Sequence, residues 1–168
     1  EIKLINHLDS LKNCSINTIY FHEPKASHHK DFPKILQITK KISAKYDVKN
    51  IGLSIYNPDD FKSSNCLNDS INCIQIPINI LDKKNIKITE NFKNISLIGR
   101  SIFLQGLLTS RGIKFLSDSS NKKDIKNAFL ISNLAKNFNT NIETLAIATV
   151  INCPQVENII IGINIIIF

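Results

Sequence analysis

Methionine is absent from the 168 residues, initiator included, so Glu1 is not expected to be a natural start. No uninterrupted apolar run reaches the ~18 residues that a membrane span needs. The longest lies in residues 159–168, and Gly162 and Asn164 break it. A transmembrane helix is therefore excluded, and no membrane partner is expected. Nor does the chain open with a basic segment followed by an apolar one, so no signal peptide is visible. Cys14, Cys66, Cys73 and Cys153 show neither C-x-x-C spacing nor histidine partners at metal-ligand spacing. That argues against a metal site and for reduced, buried or half-buried thiols in a cytoplasmic protein.

What is present is apolar and basic. Hydrophobic residues make up 43% of the chain, enough to build a core, and the net charge is +7. The lysines form no long run and aromatics do not interleave with them, so they read as solvated faces. No nucleic-acid partner is expected. No linker, low-complexity stretch or repeat divides the sequence, which makes residues 1–168 one domain or a piece of one.

Two textures alternate along the chain. Short Ile-rich runs at 18–21, 51–56, 73–80, 95–103 and 156–163 have the length and continuous apolarity of strands in a parallel sheet covered on both faces. Between them lie helical patterns. Ile35, Ile38, Ile42 and Tyr46 recur at three-to-four spacing, as do Ile125, Phe129, Leu134 and Phe138, with Ala128 and Ala135 between them. Thr140 and Glu143 have capping-box spacing before 145–151. Asn57-Pro58-Asp59-Asp60 reads as an N-cap, a first-turn proline and acids opening a short helix. Strands alternating with helices predict βαβ units.

Polar and small residues collect at the carboxyl ends of the strand runs. His22 and Glu23 follow the first, Ser54 and Tyr56 end the second, and Gln75 and Asn79 punctuate the third. Arg100 and Ser101 follow the fourth, and Gly162 the fifth. In α/β folds of parallel strands, ligands bind beyond those ends. Each residue alone also has a structural reading. A strand-end His or Gln can satisfy a neighbouring backbone group, and Arg100 can make a surface ion pair. Five strand ends in succession favour a site.

These blocks resemble the aldo/keto reductase family. Asp9-Ser10-Leu11-Lys12 with Ile19-Tyr20-Phe21-His22-Glu23-Pro24 is similar to its helix ending in Ser-Leu and strand ending in His-x-Pro. Ile51-Gly52-Leu53-Ser54 resembles its Ile-Gly-Val-Ser strand, and Ile74-Gln75-Ile76-Pro77-Ile78-Asn79-Ile80-Leu81-Asp82 its Gln-x-Pro-x-Asn-x-Leu-Asp strand. Arg100-Ser101-Ile102-Phe103 through Gly106 and Leu108 resembles Arg-Ser-x-Phe-x-x-Gly-x-Leu. The segments 145–148, Cys153-Pro154 and Ile159-Ile160-Ile161-Gly162 are similar to the last helix and strand.

The resemblance implies an α/β fold, a partial (β/α)8 TIM barrel covering roughly strands 4 to 8. It also implies NAD(P)H-dependent reduction of an aldehyde or ketone by hydride transfer, with NADP(H) or NAD(H) as cofactor and a small-molecule carbonyl as partner. His22 matches the family histidine that polarises the carbonyl. Ser54 and Gln75 match residues that hydrogen-bond the nicotinamide carboxamide, and Arg100, Ser101 and Gly162 fall at cofactor-contacting positions. The family's Asp, Tyr and Lys belong to strands before the fourth and have no counterpart here. The domain is thus expected to be truncated at its N-terminus, and at its C-terminus where a phosphate-binding segment would follow Gly162. The alternative is a non-catalytic nucleotide-binding or decayed barrel fragment.

Overall fold

The computed structural model describes residues 2–11, 13–23, 25–60, 70–87, 95–115 and 122–162. Lys12, Pro24, Cys66 and Asn164, named above, lie outside them. The chain runs α1 (Ile2–Ser10), β1 (Thr18–Phe21), α2 (Phe32–Lys45), β2 (Asn50–Ser54), β3 (Cys73–Pro77) and β4 (Ser96–Arg100). It continues through α3 (Ser110–Phe115), α4 (Lys122–Asn137), α5 (Ile142–Ile151) and β5 (Val156–Ile159). Short 3-10 turns occupy Ala26–His28, Pro58–Asp60 and Lys84–Lys87. The strands belong to one sheet in the order β1-β2-β3-β4-β5, the α/β arrangement of a partial (β/α)8 barrel. The fold class expected from the alternating textures is the one observed.

The residues divide into two compact units, Glu1–Ile76 with Lys87–Leu97, and Pro77–Ile86 with Ile98–Phe168. In the first, β1 and β2 pair in parallel with Tyr20 opposite Gly52 and Phe21 opposite Leu53. β2 and β3 pair with Gly52 opposite Cys73 and Ser54 opposite Gln75. Strand alternation then sorts the side chains. Ile51, Leu53, Ile74 and Ile76 share one face, and the last three are fully buried. Tyr20, Gly52, Ser54, Cys73 and Gln75 share the other.

The amino ends of these strands are held by an asparagine ladder. Asn50 Nδ2 donates to Asn17 Oδ1 at 2.7 Å, and Asn72 Nδ2 donates to Asn50 Oδ1 at 2.8 Å. Asn72 Oδ1 accepts from the Ile51 N–H at 3.1 Å. A one-residue slip would turn every apolar side chain to the wrong face, and the ladder pins the register against it.

Local expectations needed correction where tertiary contacts decide. In α2 the buried stripe is Phe32, Leu36, Thr39, Ile42 and Ser43, whereas Ile35 is 43% exposed. The stripe turns because Phe32 meets Phe21 edge-on, with ring centroids 5.0 Å apart. Asn57 does not cap the turn that follows it. Instead Asp60 Oδ2 accepts from the Tyr56 and Asn57 N–H groups at 3.0 and 2.9 Å.

In the second unit, α4 turns Ile125, Ala128 and Ala135 inward and leaves Phe129, Leu134 and Phe138 exposed. The capping box is also revised. Asn141 is the N-cap of α5, accepting from the Thr144 N–H at 2.7 Å. Glu143 instead accepts from the Ser110 N–H at 2.6 Å and from Ser110 Oγ at 3.0 Å, closing the start of α3. Gly99 lets β4 pack closely, since a Cβ there would lie 2.9 Å from Ile78 Cγ2 and 3.2 Å from Val150 Cγ1. After β4 the chain reverses through Leu104, Gln105 and Gly106, all at positive φ. Gly106, at φ +92°, has the conformation that most requires glycine.

Candidate active site

Register places three of the expected residues at one level of the first unit. Ser54 pairs with Gln75. His22 stands one residue past the Phe21–Leu53 pair, which carries it to the level of Ser54, and its side chain is exposed. Alternation along the strands puts Ser54 and Gln75 on the same face of β2 and β3.

Ser54 carries an unusual feature. Its side chain is 2% exposed, and its Oγ has no hydrogen-bond partner among the described residues. A buried hydroxyl left unpaired costs about 1–3 kcal/mol. Such groups persist where a ligand or water supplies the partner. The donor and acceptor of one hydroxyl beside the amide of Gln75 suit a planar carboxamide, which carries both functions.

The remaining expected residues lie in the second unit. Arg100 ends β4 half-buried, with its carbonyl accepting from the Ile78 N–H at 3.0 Å and Nη1 3.4 Å from Ser101 Oγ. Ser101 is exposed at φ +60°, a left-handed conformation uncommon for a non-glycine residue. Gly162 is exposed, and a Cβ built on it would meet nothing within 4 Å. Arg100 and Ser101 are thus joined locally, while Gly162 stands on its own stretch of chain after β5.

Sequence reasoning missed a cluster on the Ser54 face. Tyr20 reaches across Gly52 to β3, where its Oη lies 2.9 Å from Cys73 Sγ. Burial pushes the Tyr20 phenol well above the ordinary tyrosine range, and the contact with Cys73 adds to the rise. The nearby polar side chains of Gln75 and Thr18 pull the other way. Gly52 is what permits the reach, because a Cβ there would sit 2.5 Å from Tyr20 Cε1 and 2.8 Å from the Cys73 carbonyl oxygen. The available signal was the alternation linking Tyr20 to His22 across one residue, but the strand register that brings Gly52 and Cys73 alongside is not written in a single sequence.

A hollow of about 550 Å3 opens by the end of β1, lined by Phe21, Phe32 and Ile35 and rimmed by Glu23, Lys25 and His28. Phe21 belongs to the face opposite Tyr20, so this hollow is separate from the Ser54–Gln75 pair. Among the described residues no group of His, Cys, Asp or Glu side chains could hold a metal ion. No described helix is long and apolar enough to cross a membrane. Cys73 and Cys153 are buried thiols outside any disulfide, and Cys14, expected to be buried or half-buried, is exposed.

No curated protein matches the chain. The sequence profile described as the aldo/keto reductase family matches residues 4–164, and on that match, nearly the full length, the chain belongs to the aldo/keto reductase family.

Proposed function

We propose that the chain is the C-terminal, cofactor-holding portion of a cytoplasmic NAD(P)H-dependent oxidoreductase that reduces a small aldehyde or ketone to an alcohol. The observation carrying this reading is the buried, unpartnered Ser54 hydroxyl paired in register with Gln75. In this reading Ser54 and Gln75 hold the nicotinamide carboxamide and so fix which ring face is presented. Arg100, Ser101 and Gly162, in the second unit, are carried as cofactor-contacting residues by their match to the family's sequence positions alone. The bound cofactor supplies the hydride.

His22 donates a hydrogen bond to the carbonyl oxygen, where negative charge builds as hydride arrives. Its exposure at a strand end leaves the ring accessible to a substrate. The proton that completes the alcohol comes from the family's tyrosine, which belongs to a strand preceding β1 in the barrel.

A second reading, nucleotide binding without turnover, draws support from Tyr20. This tyrosine lies on the same face as Ser54, yet its phenol is tied to Cys73 and resists ionisation, which suits it poorly to proton transfer. Titration of NADPH with the protein tests both readings. Binding that Ser54→Ala weakens supports the cofactor assignment, whereas unchanged NADPH fluorescence at micromolar protein refutes it. Consumption of NADPH with simple aldehydes then separates turnover from binding alone.

A further inference from the structure

We infer that the outward side of α4 is a docking surface for an anionic lipid bilayer, with the helix lying in the headgroup layer and not crossing it. Membrane attachment of this kind goes beyond the cofactor reading and is independent of it.

The side chains of α4 are sorted around its axis. Ile125, Ala128 and Ala135 turn inward. Asp124, the only carboxylate of the helix, lies along the line of Ala128 and Ala135, at spacings of four and eleven residues. The outward side therefore carries no acid. Lys122, Lys123 and Lys126 stand exposed in its first turns. Behind them Phe129, Leu130, Leu134 and Phe138 are exposed, Leu130 to 58% and Phe138 to 70%. Phe138 continues the last turn, its N–H bonding to the Leu134 and Ala135 carbonyls.

Both groups are placed at a cost to the chain in water. Cations at a helix N-terminus oppose the positive end of its dipole. Large apolar side chains left in water forgo the gain of burial. An anionic bilayer relieves both costs together. Its headgroups meet the lysines and the dipole, and the Leu and Phe side chains enter the acyl boundary. No described helix is long and apolar enough to cross a membrane, and lying in its surface requires neither property. Surface docking thus replaces the expectation of no membrane partner, which concerned spanning.

A partner helix is a poorer complement. It needs one narrow apolar seam at alternating three- and four-residue steps. Phe129 and Phe138 are nine residues apart and stand half a turn from each other around the axis, with Leu130 and Leu134 between them. That arc is too wide for a seam and suits a flat, fluid layer. A second copy of the same face would set like charge against like.

Co-sedimentation of the full chain with vesicles tests the assignment, using phosphatidylcholine alone and phosphatidylcholine mixed with phosphatidylserine. Binding is expected to the phosphatidylserine vesicles only, weakening as salt rises. Lys123→Gln with Lys126→Gln should weaken it about 25-fold, since each lysine at such a surface contributes about fivefold. Leu130→Gln with Phe138→Gln should weaken it about tenfold or more. Lys34→Gln with Lys41→Gln removes the same charge from α2 and should change binding less than about threefold. All six substituted residues are exposed, and circular dichroism checks that each variant keeps the native spectrum. If the Leu130/Phe138 variant loses it, the two lysine pairs decide.

Absence of binding to phosphatidylserine vesicles at low salt overturns the docking surface. So does binding that the α4 variants leave unchanged, or that the α2 pair weakens equally. Without vesicle binding, capture of a synthetic acidic amphipathic helix, or self-association lost in the Leu130/Phe138 variant, would give the face to a protein partner and likewise refute lipid docking.

Discussion

Replacing Gly52 by alanine should destabilise the protein through one added methyl group. The new Cβ would stand 2.5 Å from Tyr20 Cε1, 2.7 Å from Cδ1 and 2.8 Å from the Cys73 carbonyl oxygen. Two of these atoms belong to a stiff ring and the third to the backbone of β3, so none can step aside as a flexible side chain would. Overpacking of this kind costs about 1–3 kcal/mol. Displacing the ring also breaks the Tyr20–Cys73 hydrogen bond, worth about 1 kcal/mol. Against this, alanine restrains the unfolded strand better than glycine by about 0.5–1 kcal/mol. The net loss is about 2 kcal/mol, or about 4–8 °C in Tm for a chain of this size. Thermal unfolding followed by far-ultraviolet circular dichroism measures it, with Gly162→Ala as control because nothing lies within 4 Å of its Cβ position. A Gly52→Ala protein that melts with or above the native chain would refute the packing of Tyr20 across β2.

Glu143→Ala should lose about 1 kcal/mol by uncapping Ser110, and Glu143→Gln less, because an amide oxygen still accepts one bond; chemical denaturation of the pair checks the order. Truncating the fully buried Leu53 or Ile74 to alanine should cost about 2–5 kcal/mol, and a denaturation midpoint close to the native one would remove either residue from the core. The raised Tyr20 phenol makes a pH prediction. Folded and unfolded chains both hold the Tyr20 proton below the ordinary tyrosine value near pH 10, so its contribution to stability is fully present there. Above that pH the unfolded chain releases the proton while the folded chain keeps it, and stability falls as pH rises toward the folded value. Tyr20→Phe should flatten this alkaline slope in denaturation measured from pH 9 to 11, and an identical slope would contradict the burial of the phenol.

The sequence made much of the sheet legible because burial on both faces writes continuous apolar runs. Thr18–Phe21 begins and ends where the Ile-rich run does, and Cys73–Pro77 begins where its run begins. Helix existence was equally plain, but helix orientation was not. Three-to-four spacing in α2 fits two overlapping stripes, and only the edge-on contact of Phe32 with Phe21 selects the one holding Leu36 over the one holding Ile35. In α4 the small Ala128 and Ala135 win the interior from larger neighbours, an outcome that hydrophobicity alone ranks backwards. Glu143 shows the same limit, since its best donors are 33 residues away at Ser110 and not in its own helix.

At the candidate site, His22 and Ser54 were legible as strand-end residues, whereas Gln75, grouped with them, stands mid-strand in β3, where register pairs it with Ser54. The unpartnered state of Ser54 was not legible, because it depends on what every described neighbour fails to offer. Nor was the Tyr20–Cys73 pair, which joins residues 53 apart through a gap left by a third.

That gap has a consequence for how the protein can change over generations. Positions 20, 52 and 73 form an epistatic triplet: a larger residue at 52 is tolerable only after 20 has shrunk and the β3 backbone has given way at the Cys73 carbonyl, and once 20 has shrunk the polar partner at 73 loses its reason to be kept. Each single step from the present state is disfavoured while the combined change need not be, so the three positions should vary together or stay fixed together in the lineage that carries them.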